Sequence, residues 1–153
     1  MALDLIKEGF ALSQILDKLS FFRENFYLFG GCIDLTFPIY NGRLKGGQAF
    51  LGKNLPIYGA LTLSEEGEII GFGKSFHKTK VFSMAADKVK RIIDSSPSEY
   101  LLWRFMGDQK MRYLLEKAEN QVGLVPNLAD TTLPPSIGVH SGPYIGGWGL
   151  IKI

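Results

Sequence analysis

Few side chains in this sequence can move a proton near neutral pH. His77 and His140 are the only histidines, and Cys32 is the only cysteine. His77 stands in "GKSFHKTK" between Lys74 and Lys78, and His140 stands in "VHSGPYIGGWG" four residues before Tyr144. Imidazoles for general acid and base, ammonium groups to hold a phosphate and a tyrosine are the parts of metal-independent ribonuclease chemistry. A small hydrolase of this kind, a ribonuclease or toxin-like effector working through His77 and His140, is therefore one reading of the chain. A Cys32–His140 dyad would need the last strand to lie beside the first. "FGGC" is followed by no helix start that would lower the thiol pKa, so the expectation is a small buried hydrophobe.

Other motifs fail on spacing. "GEIIGFGKS" resembles a phosphate-cradling loop, but Glu68 occupies the position of the first glycine and the segment reads as hairpin rather than strand–loop–helix. "SFHK" has the S-x-x-K spacing, yet in a strand Ser75 and Lys78 point to opposite faces. Two histidines without accompanying carboxylates do not complete a zinc shell, so no metal and no cofactor is expected.

That leaves "VHSGPYIGGWG". Its plainer reading is structural: Gly146, Gly147 and Gly149 let a strand pass close to its neighbours, Trp148 packs in the core and His140 bonds to backbone. Its functional reading makes Tyr144 and Trp148 the lining of an aromatic, glycine-rich groove with Lys74 and Lys78 as ligand-binding cations. A non-catalytic binding or interaction module of this type is the preferred function, for a protein or a small ligand.

The chain has 153 residues, 46% of them hydrophobic and 21% charged, which fits one globular domain over residues 1–153. A net charge of +2 does not by itself indicate nucleic acid. The run from Lys74 to Arg91 carries six basic residues against Asp87, and it is the one place where nucleic acid is a candidate partner. A single cysteine fits a cytoplasmic or otherwise reducing compartment. Charges scattered through "MALDLIKEGFALSQILDKLSFF" leave no apolar core for a signal peptide or spanning helix.

Periodicity supplies the elements that must carry these residues. Leu12, Ile15, Leu16 and Leu19 predict a helix over 4–19, and Ser20 starts either a short helix or a strand. Short apolar runs predict a four-stranded antiparallel meander at 31–40, 43–51, 55–63 and 68–76, with Asn41-Gly42 as a type I′ hairpin turn. Turns at 52–54 and 64–67 join the later strands, and Pro38 and Pro56 are expected at strand ends or edges. Ser83 caps a helix running to Asp94. "SPSE" at 96–99 opens a second helix that buries Trp103 and breaks near Gly107. The last ten residues read as a strand returning to the sheet. The expected fold is α+β: an N-terminal helix, the meander, a helical pair and a C-terminal strand segment, with helices on one face of a curved sheet.

Overall fold

The computed structural model describes residues 2–45, 57–95 and 98–153. The chain runs α1 (Ala2–Lys7), α2 (Leu12–Glu24), β1 (Phe26–Cys32), α3 (Thr36–Tyr40), β2 (Leu44–Lys45), β3 (Tyr58–Leu63) and β4 (Ile69–Ser75). It continues through α4 (Lys78–Asp94), β5 (Tyr100–Met106), a 3-10 turn (Gln109–Met111), α5 (Arg112–Val122), β6 (Thr131–Thr132), α6 (Pro135–Ser141) and β7 (Ile145–Lys152). Among the described residues seven strands form one sheet in the order β2-β4-β3-β1-β7-β5-β6. The fold is α+β, as the hydrophobic pattern implies.

The main core lies on one face. There α4 buries Val81, Phe82, Ala85 and Val89, and α5 buries Leu115 and Ala118, against Ala60, Leu102, Trp148 and Leu150 of the sheet. Helical spacing of the apolar residues in α4 puts that stripe inward and leaves Lys80, Lys88 and Arg91 exposed. The helix begins at Lys78 rather than at Ser83. A smaller cluster of Cys32, Leu35, Leu44, Leu61, Phe105 and Ile145 lies on the opposite face, where α3 packs against α6. Helices therefore sit on both faces, and the second face is covered only near one end.

Four local expectations are corrected. The N-terminal helix is two helices, because Gly9 adopts φ 82 and closes α1: Gly9 N–H donates to Ile6 O and Phe10 N–H to Leu5 O. Asn41-Gly42 is not a hairpin turn. Residues 36–40 are helical, Asn41 has φ −84 and Gly42 has φ 62, with Gly42 N–H on Ile39 O and Arg43 N–H on Pro38 O. Both ends have the bonding of the Schellman cap, in which a left-handed glycine satisfies two orphan carbonyls. The third correction is "YLLWRFM", which is strand β5 rather than the start of a buried helix. A strand covered on both faces reads as an unbroken apolar run, and period alone does not separate it from a buried helix. Trp103 accordingly sits half-buried on a strand, and Gly107 ends that strand. The expected first strand is also displaced, since β1 begins at Phe26 and ends at Cys32. The last ten residues do return to the sheet, pairing with both β1 and β5. The expected strand residues 46–51, the turn at 52–54, Pro56 and the Ser96 cap lie outside the described residues.

Two glycines separate conformational from packing cost. A Cβ at Gly42 meets nothing within 4 Å, so Gly42→Val should cost about 1–2 kcal/mol through left-handed strain alone. A Cβ at Gly147 would fall inside the contact radius of the Phe29 carbonyl oxygen and 2.5 Å from Gly30 Cα. Gly147→Ala should therefore cost at least about 3 kcal/mol. Thermal or denaturant melts of the two variants check the order.

Candidate ligand-binding site

β7 lies between β1 and β5, and its glycines meet glycines and rings across both ladders. Gly147 pairs with Gly30 on one side and Phe105 on the other, and Gly149 pairs with Trp103. A Cβ at Gly149 would enter the Trp103 ring, and one at Gly147 would lie 2.9 Å from Phe105 Cζ. The missing side chains thus give Trp103 and Phe105 room to lie across the sheet on the face turned away from α4 and α5. Phe26 stacks on Trp103 with ring centroids 6.1 Å apart and planes 25° apart. Toward the Phe26 end this floor of rings and backbone is only half-covered.

The floor leads into a cleft. Phe29 and Thr62 are the last paired residues of β1 and β3 in that direction. Beyond them the strands part, and a cavity of about 930 Å³ opens between Phe26, Leu28, Thr62 and Leu63, with Arg23 and Glu65 at its rim. Its volume is that of a small-molecule site, and its lining is mixed, with Phe26, Leu28, Phe29 and Leu63 on one side and Arg23, Glu24, Ser64, Glu65 and Glu66 on the other.

The other end of the floor is polar and tightly built. Gly142 lies against Phe37 of α3, where a Cβ would sit 2.5 Å from the ring, and Gly107 passes under Pro143 with 2.6 Å for a Cβ. Asn41 Nδ2 donates to Val139 O at 3.3 Å, and Tyr144 O accepts from Ile33 N–H at 2.9 Å. This corner carries His140, half-buried, whose Nδ1 is buried and makes no hydrogen bond. The expected hydrogen bond of His140 to backbone is not made at Nδ1. A buried polar atom without a partner is disfavoured unless something else satisfies it.

The expected site residues do not converge. Register aligns Lys74, Gly59, Cys32 and Ile145 in one row across the sheet, so about 14 Å separates Lys74 from Ile145. His77 is exposed at the start of α4 on the main-core face, with Lys78 next to it, whereas His140 belongs to α6, which packs with α3 on the other face. The paired imidazoles of a ribonuclease site are not assembled. Trp148 lines no groove: it is fully buried under α5, and its indole N–H donates to Glu119 Oε1 at 2.7 Å. Tyr144 is exposed and shares the polar end with His140. Cys32 is fully buried and its S–H donates to Asp34 O at 3.0 Å. Burial pushes its thiol up to about 12, which removes it as a nucleophile. Among the described residues no group of three or more His, Cys, Asp or Glu could hold a metal ion, and no helix is long and apolar enough to cross a membrane.

Sequence reasoning missed the floor and its support. Glu119, on α5, receives both Arg104 Nε and an Arg104 terminal nitrogen at 2.7 Å as well as the Trp148 indole. Arg104 also reaches Asp130 at 3.1 Å, and Asp130 pairs with Arg112 at 2.6 Å. The hydrogen bonds to Glu119 hold Arg104 still more firmly protonated than an ordinary guanidinium. Nothing in the spacing of Arg104 and Glu119 shows that a strand and a helix bring them together.

A model of the DegV family of uncharacterised proteins matches residues 1–152. The chain belongs to the DegV family. A DegV domain-containing protein of Staphylococcus aureus is 28% identical over 151 residues, which are 97% of this chain and 51% of that protein. A fatty acid binding DegV family protein from Streptococcus agalactiae superposes with a TM-score of 0.81 at 26% identity, over 99% of this chain and 53% of the other. A Thermus thermophilus DegV family structure, described by its fatty acid binding, superposes at 0.80 with 26% identity, over 99% of this chain and 54% of the other. The chain thus spans about half the length of these DegV relatives.

Two outcomes check this geometry. Glu119→Ala leaves the Trp148 N–H without a partner and Arg104 with Asp130 as its remaining acid, and should cost about 3–5 kcal/mol in a denaturant melt. Cys32 has a folded pKa raised above its unfolded value of 9.0. Its contribution to stability is therefore full below pH 9 and declines as pH rises toward 12. In native protein at pH 8 the thiol should react with a disulfide reagent only as fast as the protein unfolds.

Proposed function

We propose that this chain carries one wall of a non-catalytic binding site for a long-chain fatty acid. The observation that carries the reading is the glycine-floored aromatic face of β1, β7 and β5, apolar, half-open and ending in a cleft. β1 spans about 20 Å, the scale of an extended long acyl chain. Membership of the DegV family supports this ligand, as do two structures at 26% identity described as binding fatty acids. Buried apolar surface would provide the affinity and the polar corner the orientation. His140, with its unpartnered Nδ1, is the group we assign to the carboxylate, donating an N–H to one oxygen. Tyr144 stands beside it. A single wall leaves much of an acyl chain in water, so the second wall is assigned to the portion of the DegV relatives that this chain does not span.

Displacement of a fluorescent fatty acid from delipidated protein tests the reading. Leu28→Asp puts a charge on the half-covered floor and should weaken binding at least about tenfold, the effect of roughly 1.4 kcal/mol or more. His140→Gln should weaken binding of the free acid and leave that of its methyl ester unchanged. Equal binding by the wild type and Leu28→Asp, or an equal loss for acid and ester in His140→Gln, would contradict the respective assignment.

A further inference from the structure

The charge of the molecule changes sign along the strands. At the end that carries His140, the described strand ends and turns hold Arg43, Lys74, Lys78 and Lys110 against Asp34 and Asp108. Both acids there are occupied with backbone, Asp34 accepting from Thr36 N–H and Asp108 from Lys110 N–H. At the other end the described strand ends and turns hold Glu24, Glu65, Glu66, Glu68 and Glu99 against Arg23 and Lys152. The cleft opens at this acidic end, and its lining includes three of those carboxylates, on Glu24, Glu65 and Glu66, and one cation, Arg23. The backbone that carries the acids is tied down. Ser64 Oγ accepts from Glu66 N–H at 3.2 Å and from Glu68 N–H at 3.3 Å, and Gly67 N–H donates to Ser64 O, so the β3–β4 turn holds Glu65 at the mouth. Asn25 donates to Phe21 O from both its backbone N–H and its side-chain amide, which closes α2 directly after Glu24. Glu24 and Glu65 are exposed and form no ion pair among the described residues.

An acyl chain held by its carboxylate at His140 has its far end in this cleft, about 20 Å away along β1. A methyl group there meets Phe26, Leu28 and Leu63. A second carboxylate there would lose hydration to the same apolar wall and would face like charges at the mouth. We propose that the acidic mouth makes the site selective for fatty monocarboxylic acids: it sets the direction of the chain and rejects α,ω-dicarboxylic acids, including acyl chains oxidised to an acid at the far end. Glu24 and Glu65 are the specificity-determining residues. The inference rests on the fatty-acid reading and names the class of acid that reading leaves open. Each nearby carboxylate should weaken binding of the second carboxylate by about threefold at moderate salt. The first carboxylate lies about two Debye lengths from the mouth at 0.1 M salt, so the penalty falls on the diacid alone. Loss of hydration by itself would disfavour a diacid to the same extent whatever the charge at positions 24 and 65. Charge reversal at those positions therefore separates the two causes.

The test is displacement of a fluorescent fatty acid from the delipidated 153-residue chain by hexadecanoic acid, hexadecanedioic acid and the monomethyl ester of the diacid. In the wild type the diacid should bind at least about tenfold more weakly than the monoacid, with the ester between them, and added salt should narrow the gap. Glu24→Lys with Glu65→Lys should raise the ratio of diacid to monoacid affinity at least about tenfold, and added salt should then lower that ratio. Asp87→Lys with Glu116→Lys makes the same change in net charge on α4 and α5 and should leave the ratio unchanged. All four positions are exposed, and circular dichroism confirms that the variants fold. Equal binding of diacid and monoacid by the wild type, a ratio indifferent to reversal at 24 and 65, or an equal rise in the α4–α5 variant would overturn the selectivity while the monoacid still binds. Failure of all three compounds to displace the probe would overturn the fatty-acid reading, and the selectivity with it.

Discussion

Close approach of β7 to β1 and β5 is the constraint on which the rest of the molecule depends. Gly30 and Gly147 face each other in one ladder, and a side chain on either would meet backbone of the neighbouring strand. Glycine is destabilising in a strand by ordinary measures, since it packs nothing and loses the most conformational freedom on folding. Here the space it leaves is filled from the adjacent strand by Trp103 and Phe105, so the apolar area is retained but laid flat. A sheet whose central strand carried ordinary side chains would present separate knobs on this face. This one presents a continuous floor of rings and backbone.

The opposite face must be held still for that floor to persist, and Glu119 does this. One carboxylate accepts from the guanidinium of Arg104 on β5 and from the indole of Trp148 on β7, joining two of the three strands that form the floor to the helix behind them. Burying a carboxylate is costly, and its charge is offset here by bidentate pairing and a third donor. The arrangement fixes the register of β5 against β7, so Trp103 falls over Gly149 and not over its neighbours. Asp130 and Arg112 extend the charge chain toward solvent, and the Asp130 carboxylate offsets part of the desolvation cost of Arg104.

Much of the architecture is legible in the sequence where period and burial agree. The stripe of Val81, Ala85 and Val89 marks α4, and "YIGGWGLIKI" marks a strand that completes the sheet. What is not legible follows from physics that spacing does not encode. Asn-Gly supports positive φ in a hairpin and after a helix alike, and only the tertiary position of residues 36–40 decides between them. "YLLWRFM" carries large apolar residues on both faces of the strand, with Arg104 its one charge, so its period of two is hidden. Of the site, "VHSGPYIGGWG" stands out by composition, and close packing was the right expectation for Gly147 and Trp148. Trp103, which the proposed floor uses, does not stand out, because Trp148 and Trp103 differ only in which face of the sheet they occupy. His140 stood out as a titratable group, but its unpartnered Nδ1 appears only once α6 is folded against α3.

The central claim is that acyl chains lie on the β1–β7–β5 floor. Intermolecular nuclear Overhauser effects from a carbon-13-labelled long-chain fatty acid to the two indole rings test it most directly, because the tryptophans occupy opposite faces. The account predicts contacts from the methylene chain to the ring protons of Trp103 and Phe26 and none to Trp148. Contacts confined to the leucines of α1 and α2, or a saturating ligand with no contact to Trp103, would contradict it.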